Sequence, residues 1–221
     1  MLYAKVASAS ASSTGNSAVT AGIDTTGADL LVAVVAYSVV GTFTSFADSK
    51  GNVWTPLPEY AQNNNRLRAY VSVPTSVGTS HTVTVTTTSA YPTVAFYAFS
   101  SGHQTNPFMT SIGASAASPG TLTPAENGAL IIAGWGCNNT PTATGLDEAF
   151  TLDETEDATS QNLAVGWRVL ASARAVTPTF TGGQTTDDLS ALWVFRAADQ
   201  NLTSELRPRP MSPQQRFTGR G

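Results

Sequence analysis

Two runs dominate the hydrophobic pattern, residues 29–40 (DLLVAVVAYSVV) and residues 128–137 (GALIIAGWGC). Both are rich in valine, isoleucine and leucine and are bounded by glycine and aspartate or asparagine, which predicts central strands buried on both faces rather than helices. The same order of lesser segments follows each run. After the first come residues 66–73, with Leu67, Ala69, Val71 and Val73 on one face and Arg66, Arg68, Tyr70 and Ser72 on the other; residues 81–87, alternating around Val83 and Val85; and residues 93–100 (TVAFYAFS), another central strand. Period-two alternation of this kind predicts half-buried strands. After the second run, residues 162–170, 175–181 and 190–197 take the corresponding places. Leu30 answers Leu130 at an offset of 100, and Tyr97 answers Phe195 at an offset of 98. Two pseudo-repeated halves are therefore expected, at about 15–102 and 109–199.

Between these segments the chain carries turn chemistry. Asp48-Ser49-Lys50-Gly51-Asn52 combines an aspartate that can cap a turn with a glycine that supplies positive φ, and it predicts a hairpin that sends Trp54 into the core. Residues 17–23 alternate weakly, with Val19 and Ile23 as inward candidates. Residues 1–14 form an N-terminal segment, either an edge strand or a loose arm. Helix signals are confined to short turns near residues 57–62 and 144–150, too brief for a stable surface helix. Many short strands separated by Gly, Pro and Asn predict an all-β, antiparallel, jelly-roll-like β-sandwich over residues 15–199.

Composition adds a surface and a tail. Charged residues make up 12% of the chain, about half the usual ~25%, which suits a body packed against neighbours. Arg207, Arg209, Arg216 and Arg220 fall in the last 16 residues with no acid among them, so the other 7 Lys/Arg face 15 Asp/Glu. An acidic body thus ends in a basic arm. Pro208, Pro210 and Pro213 rule out helix there and disfavour an internal strand, leaving an extended polyproline-like arm over residues 200–221. Such an arm has little apolar surface to bury against its own body and is expected to be held by a partner. Leu206, Met211 and Phe217 would be buried against that partner while Arg207, Arg209, Arg216 and Arg220 pair with its acidic groups. Charge asymmetry of this kind also fits nucleic acid. The acidic body, with Phe217 as the arm's one aromatic, argues against a dedicated nucleic-acid binder.

Catalytic signatures are sparse. The sequence has no H-E-x-x-H, C-x-x-C, Walker-type loop or G-x-S-x-G elbow, and no catalytic residue, cofactor or metal is assigned. His81 and His103 are read as surface or turn residues. Cys137, the one cysteine, excludes an internal disulfide and reads as a small buried hydrophobe. Asp147, Glu148, Asp153, Glu154, Glu156 and Asp157 form an acidic cluster without the spacing of a calcium loop; they read as a solvated loop, with the arginine arm of a neighbour as a second possible use. Trp54, Trp135, Trp167 and Trp193 read chiefly as core, while an exposed aromatic platform would indicate sugar binding. No signal peptide and no membrane span is recognised.

The succession of a buried run, DSKGNVWTPL, an R-x-Y-V strand, a VGTSHTVTV strand and a YPTVAFYAFSSG strand resembles the β-sandwich domains of tailed-bacteriophage virion proteins. The resemblance covers roughly residues 15–200 and marks turns and core positions, so it transfers no functional residue. It implies a non-enzymatic structural component of a virion, assembled in the host cytoplasm. A capsid decoration or minor capsid protein fits best, fastened through the C-terminal arm to the major capsid protein or to neighbouring subunits, as a homo-oligomer or multi-copy assembly. The alternative is a carbohydrate-binding module, or a tail or head-fibre adhesin for host surface glycans, which would place at least two tryptophans side by side on the surface.

Overall fold

The computed structural model describes residues 2–39, 41–88, 91–101, 105–138, 143–157, 161–182 and 187–197. The regular elements among them are all strands, and their pairings are antiparallel. One five-stranded sheet contains β1 (Ala4–Ser12), β3 (Leu30–Ser38), β5 (Thr55–Gln62), β6 (Asn65–Ser72) and β8 (Thr93–Ser100) in the order β1-β8-β3-β6-β5. A three-stranded sheet, β2-β7-β4, is made by β2 (Ser17–Val19), β4 (Phe43–Asp48) and β7 (Val83–Thr87). The second five-stranded sheet contains β9 (Phe108–Ala114), β10 (Leu130–Cys137), β12 (Thr151–Glu156), β13 (Asn162–Val169) and β15 (Leu189–Phe195), ordered β12-β13-β10-β15-β9. The short β11 (Gly145–Leu146) and β14 (Phe180–Thr181) pair with each other.

Three cores separate four β layers. Leu30, Val32, Val34 and Ala36 point into a central core shared with Leu130, Ile132, Val165 and Trp193 of the facing sheet. Leu31, Ala33, Val35 and Tyr37 point the other way, onto Val83, Val85 and Phe46 of the three-stranded sheet. On the far side Ile131, Ala133, Trp135 and Cys137 meet Val176, Phe180 and Phe150. Period two is present in both central strands but hidden in the sequence, because each face has its own apolar core.

The two five-stranded sheets share their strand order and their irregularities. Leu30 lies opposite Phe99 as Leu130 lies opposite Phe195, and Tyr37 lies opposite Arg66 as Cys137 lies opposite Asn162. β1 carries a bulge between Lys5 and Ala7 opposite Phe99 and Ala98, and β9 carries one opposite Phe195 and Val194. β5 slips between Pro56 and Glu59, and β12 slips at the corresponding place between Leu152 and Glu154. Bulges are built features of a sheet rather than accidents. By register Phe99, not Tyr97, stands in the place that Phe195 holds in the other sheet. The two aromatics sit on the same face of β8, so side-chain character alone does not separate them and hydrogen-bond register does.

Other expectations are revised. Residues 57–62, read as a helical turn, belong to edge strand β5, where Pro56 and Pro58 are tolerated. The Asp48 turn does not close a hairpin, because β4 pairs with β7 and β5 with β6, so the turn carries the chain from one sheet to another. Val19 is 53% exposed while Ala18 is buried, a one-residue shift that inverts the faces of β2. The N-terminal segment is an edge strand, β1.

Candidate functional site

The arm residues Leu206, Arg207, Arg209, Met211, Arg216, Phe217 and Arg220 lie outside the described residues, as does His103.

His81 is not a surface residue. Its side chain is fully buried, with Nε2 3.1 Å from Asp48 Oδ2 and Nδ1 2.9 Å from Thr25 Oγ1. Asp48 also accepts from Asn52 Nδ2 at 2.8 Å, from Trp54 Nε1 at 3.0 Å, and from the backbone N–H groups of Lys50 and Asn52, both at 3.0 Å. The Asn52 amide oxygen in turn accepts from the Thr75 and Ser76 backbone at 2.9 Å. The turn chemistry legible in DSKGNVW is therefore the hub that pins the loop at 48–54 to the chain at 75–81. Burial pushes the Asp48 carboxyl up, but donation from Asn52, His81 and Trp54 outweighs it and holds the group below the usual carboxylate range. A depressed folded value contributes stability above the unfolded value, about 3.9, and that contribution is lost as pH falls through the folded value. Thermal denaturation from pH 7 down to strongly acid conditions should thus show a fall in Tm that is shallower in Asp48→Asn than in the parent chain.

The acidic residues do not form one solvated cluster. Asp153, Glu154 and Glu156 belong to strand β12. Asp153 pairs with Lys5 and Glu156 accepts from Ser10 Oγ at 2.7 Å, so both tie the β12 edge to the β1 edge. Asp147 instead accepts from the Thr179 N–H at 2.7 Å, and Glu148 lies 3.3 Å from Arg174. Among the described residues no group of three or more His, Cys, Asp or Glu could hold a metal ion.

Nor do the tryptophans make a platform. Trp135 and Trp193 are buried. Trp54 packs on Phe46 and Phe96 at the outer core of the first sheet, whereas Trp167 packs on Phe99 at the central core. The two half-buried indoles belong to different layers, because the β1-β8-β3-β6-β5 sheet lies between the outer core that holds Trp54 and the central core that holds Trp167.

A polar cleft of about 370 Å³ opens where β3, β5 and β6 meet, lined by Tyr37, Thr42, Phe43, Glu59, Arg66 and Arg68 among others. Glu59 is its centre. It accepts from the Tyr37 hydroxyl and lies 3.2 Å from Arg68, with Arg66 at 3.9 Å. Burial, then the Glu59 hydrogen bond and charge, push the Tyr37 hydroxyl well above its ordinary value, so it stays protonated as the donor. Phe43 lies between Tyr37 and Tyr70, with ring centroids 5.7 and 5.6 Å away. Arg68 sits beside the Tyr70 hydroxyl; burial would lower its value, but Tyr70 and Glu59 raise it on balance. In the sequence Arg66, Arg68 and Tyr70 fall on one face of a strand, with no local pattern that gives them a role. Glu59 and Tyr37 lie on other strands, and the only local sign was two arginines on the polar face of a half-apolar strand.

No family model, curated protein or solved structure matches this chain.

The termini of the body converge. Tyr3 donates its hydroxyl to the Arg196 carbonyl, and a side chain at Gly128 would touch both Leu2 and Ala197, at 3.5 and 3.1 Å. Leu2 and Val6 remain exposed there.

Proposed function

We propose that the chain is a non-enzymatic structural component of a tailed-bacteriophage virion, a capsid decoration or minor capsid protein anchored by its C-terminal arm. The observation that carries the reading is the convergence of the termini. Ala197 lies beside Leu2, and the Arg196 carbonyl beside Tyr3, so an arm that continues from there and the exposed Leu2 and Val6 can address one partner surface together. Leu206, Met211 and Phe217 would bury against the major capsid protein or a neighbouring subunit, and the four arginines would pair with acidic groups there. The commitment of His81, Asp48 and Asp153 to ties between strands also supports a scaffold role.

Deleting residues 204–221 tests the anchor. Co-sedimentation with capsids should be lost, while the far-UV spectrum and Tm of the isolated body stay within experimental error of the full chain. Retained sedimentation would sink the arm as the anchor. A comparable loss of binding on replacing Leu2 and Val6 by serine would show that the two ends act on one surface.

A further inference from the structure

The polar cleft has an internal counterpart. Through the shared register, Tyr37 corresponds to Cys137, Arg66 to Asn162 and Arg68 to Ala164. Glu59, opposite Arg68, corresponds to Thr155, opposite Ala164. The second sheet therefore builds the same strand pairs with no charge at any of the four positions. Its neighbouring positions are packed with apolar groups: Trp135 stands opposite Ala164 and stacks on Phe180, and Leu146 packs where a side chain at Gly166 would stand. The pairing of β3, β5 and β6 does not require Tyr37, Glu59, Arg66 or Arg68. Withdrawing such groups partly from water costs free energy. The Glu59, Arg66 and Arg68 side chains are only 25%, 29% and 27% exposed.

We propose that this cleft binds a carboxylate-bearing sugar, a uronic or sialic acid unit of a glycan. Two guanidinium groups face one carboxylate among the lining residues, which leaves one positive charge for a ligand. Arg66, whose Nη1 donates to the Asn65 carbonyl at 2.9 Å and whose Nε lies 3.9 Å from Glu59, beyond direct hydrogen-bond distance, is the first partner for a ligand carboxylate through its remaining donors, with Arg68 beside it. A guanidinium recognises that planar anion through paired, charge-assisted hydrogen bonds. Glu59 then sets the class. It repels a dianion such as phosphate, and its oxygens accept hydroxyl donors, which a sugar supplies and a simple carboxylate does not. Phe43, fixed by stacking on Tyr70, lines the cleft and can contact the C–H face of a pyranose there. The volume lies near the lower end of the range for ligand sites, about 300–1,000 Å³, as suits one or two sugar units. This site is independent of the virion assignment and adds a ligand to a body that the arm anchors.

Isothermal titration of the isolated full chain with trigalacturonate and with N-acetylneuraminic acid tests it, with neutral cellotriose, acetate and phosphate as controls. Saturable binding of at least one acidic sugar is expected, with cellotriose, acetate and phosphate at least about tenfold weaker. Arg66→Asn and Arg68→Ala, which install the second sheet's residues, should each weaken binding about tenfold or more while circular dichroism shows a folded chain. Should either variant fail to fold, Arg66→Gln is the substitute. Absence of saturation by both acidic sugars at about 10 mM overturns the proposal. So does binding that the folded arginine variants leave unchanged, and so does acetate or phosphate binding as tightly as the sugars, which would make the cleft a general anion site. No particle enters this measurement, so its failure is separable from failure of the anchoring reading.

Discussion

Asp48→Ala is expected to lower the stability of the folded body by about 3–5 kcal/mol, the scale of breaking a buried charged or hydrogen-bonded pair on one side. The substitution strips the acceptor from Trp54, Asn52 and two backbone N–H groups at once and removes the carboxylate that lies 3.1 Å from His81 Nε2. The His81 side chain has no water to turn to, since it is fully buried. Urea denaturation followed by tryptophan fluorescence measures the loss, with Trp54 as a reporter inside the network. Asp48→Asn retains one carbonyl acceptor and should lose roughly half as much. A loss below about 1 kcal/mol for the alanine variant would mean that these hydrogen bonds do not hold the loops.

Gly134→Ala is expected to cost about 1–3 kcal/mol by overpacking, and Gly136→Ala to be neutral or slightly stabilising. The two glycines lie on the same strand, and on the same face, where β10 faces β3 across the central core. A Cβ on Gly134 would meet the Trp193 ring at 2.9 Å and Val34 Cγ1 at 3.1 Å, and both side chains are completely buried. They cannot retreat without displacing the densely packed core around them. At Gly136 the nearest atom is Ala36 Cβ at 3.4 Å, an ordinary contact. There the gain from restricting the unfolded backbone is left unopposed, by up to about 1 kcal/mol. Thermal denaturation of the two variants side by side separates them. Equal shifts, or the reverse order, would contradict the tight approach of the sheets at Trp193.

Local pattern carried the strands that are apolar along nearly their whole length. The segment 93–100 is β8 to the residue, and the two long apolar runs are the two central strands. Pattern could not say which face of those strands enters which core, and it failed where a segment follows its neighbour rather than its own propensity. Residues 57–62 become strand because β6 offers them a ladder. Ala18, not Val19, turns inward because its partner Val85 fixes the register. Residue type in the sequence could not separate His81 in the core from a histidine in a turn, because the reason for its burial is Asp48 on another strand.

The amino-acid sequence by itself determined that this chain is all-β, where its central strands run, and that Asp48 to Asn52 forms a turn, since each rests on periodicity or on chemistry within a few residues. The tertiary structure alone decided what that turn holds, that the central strands divide their side chains among three cores, and that Tyr37, Glu59, Arg66 and Arg68 meet in one cleft while their counterparts Cys137, Thr155, Asn162 and Ala164 carry no charge. Those facts depend on which strand lies beside which and in what register. Register is set by packing and hydrogen bonds between residues tens of positions apart, beyond the reach of any local pattern.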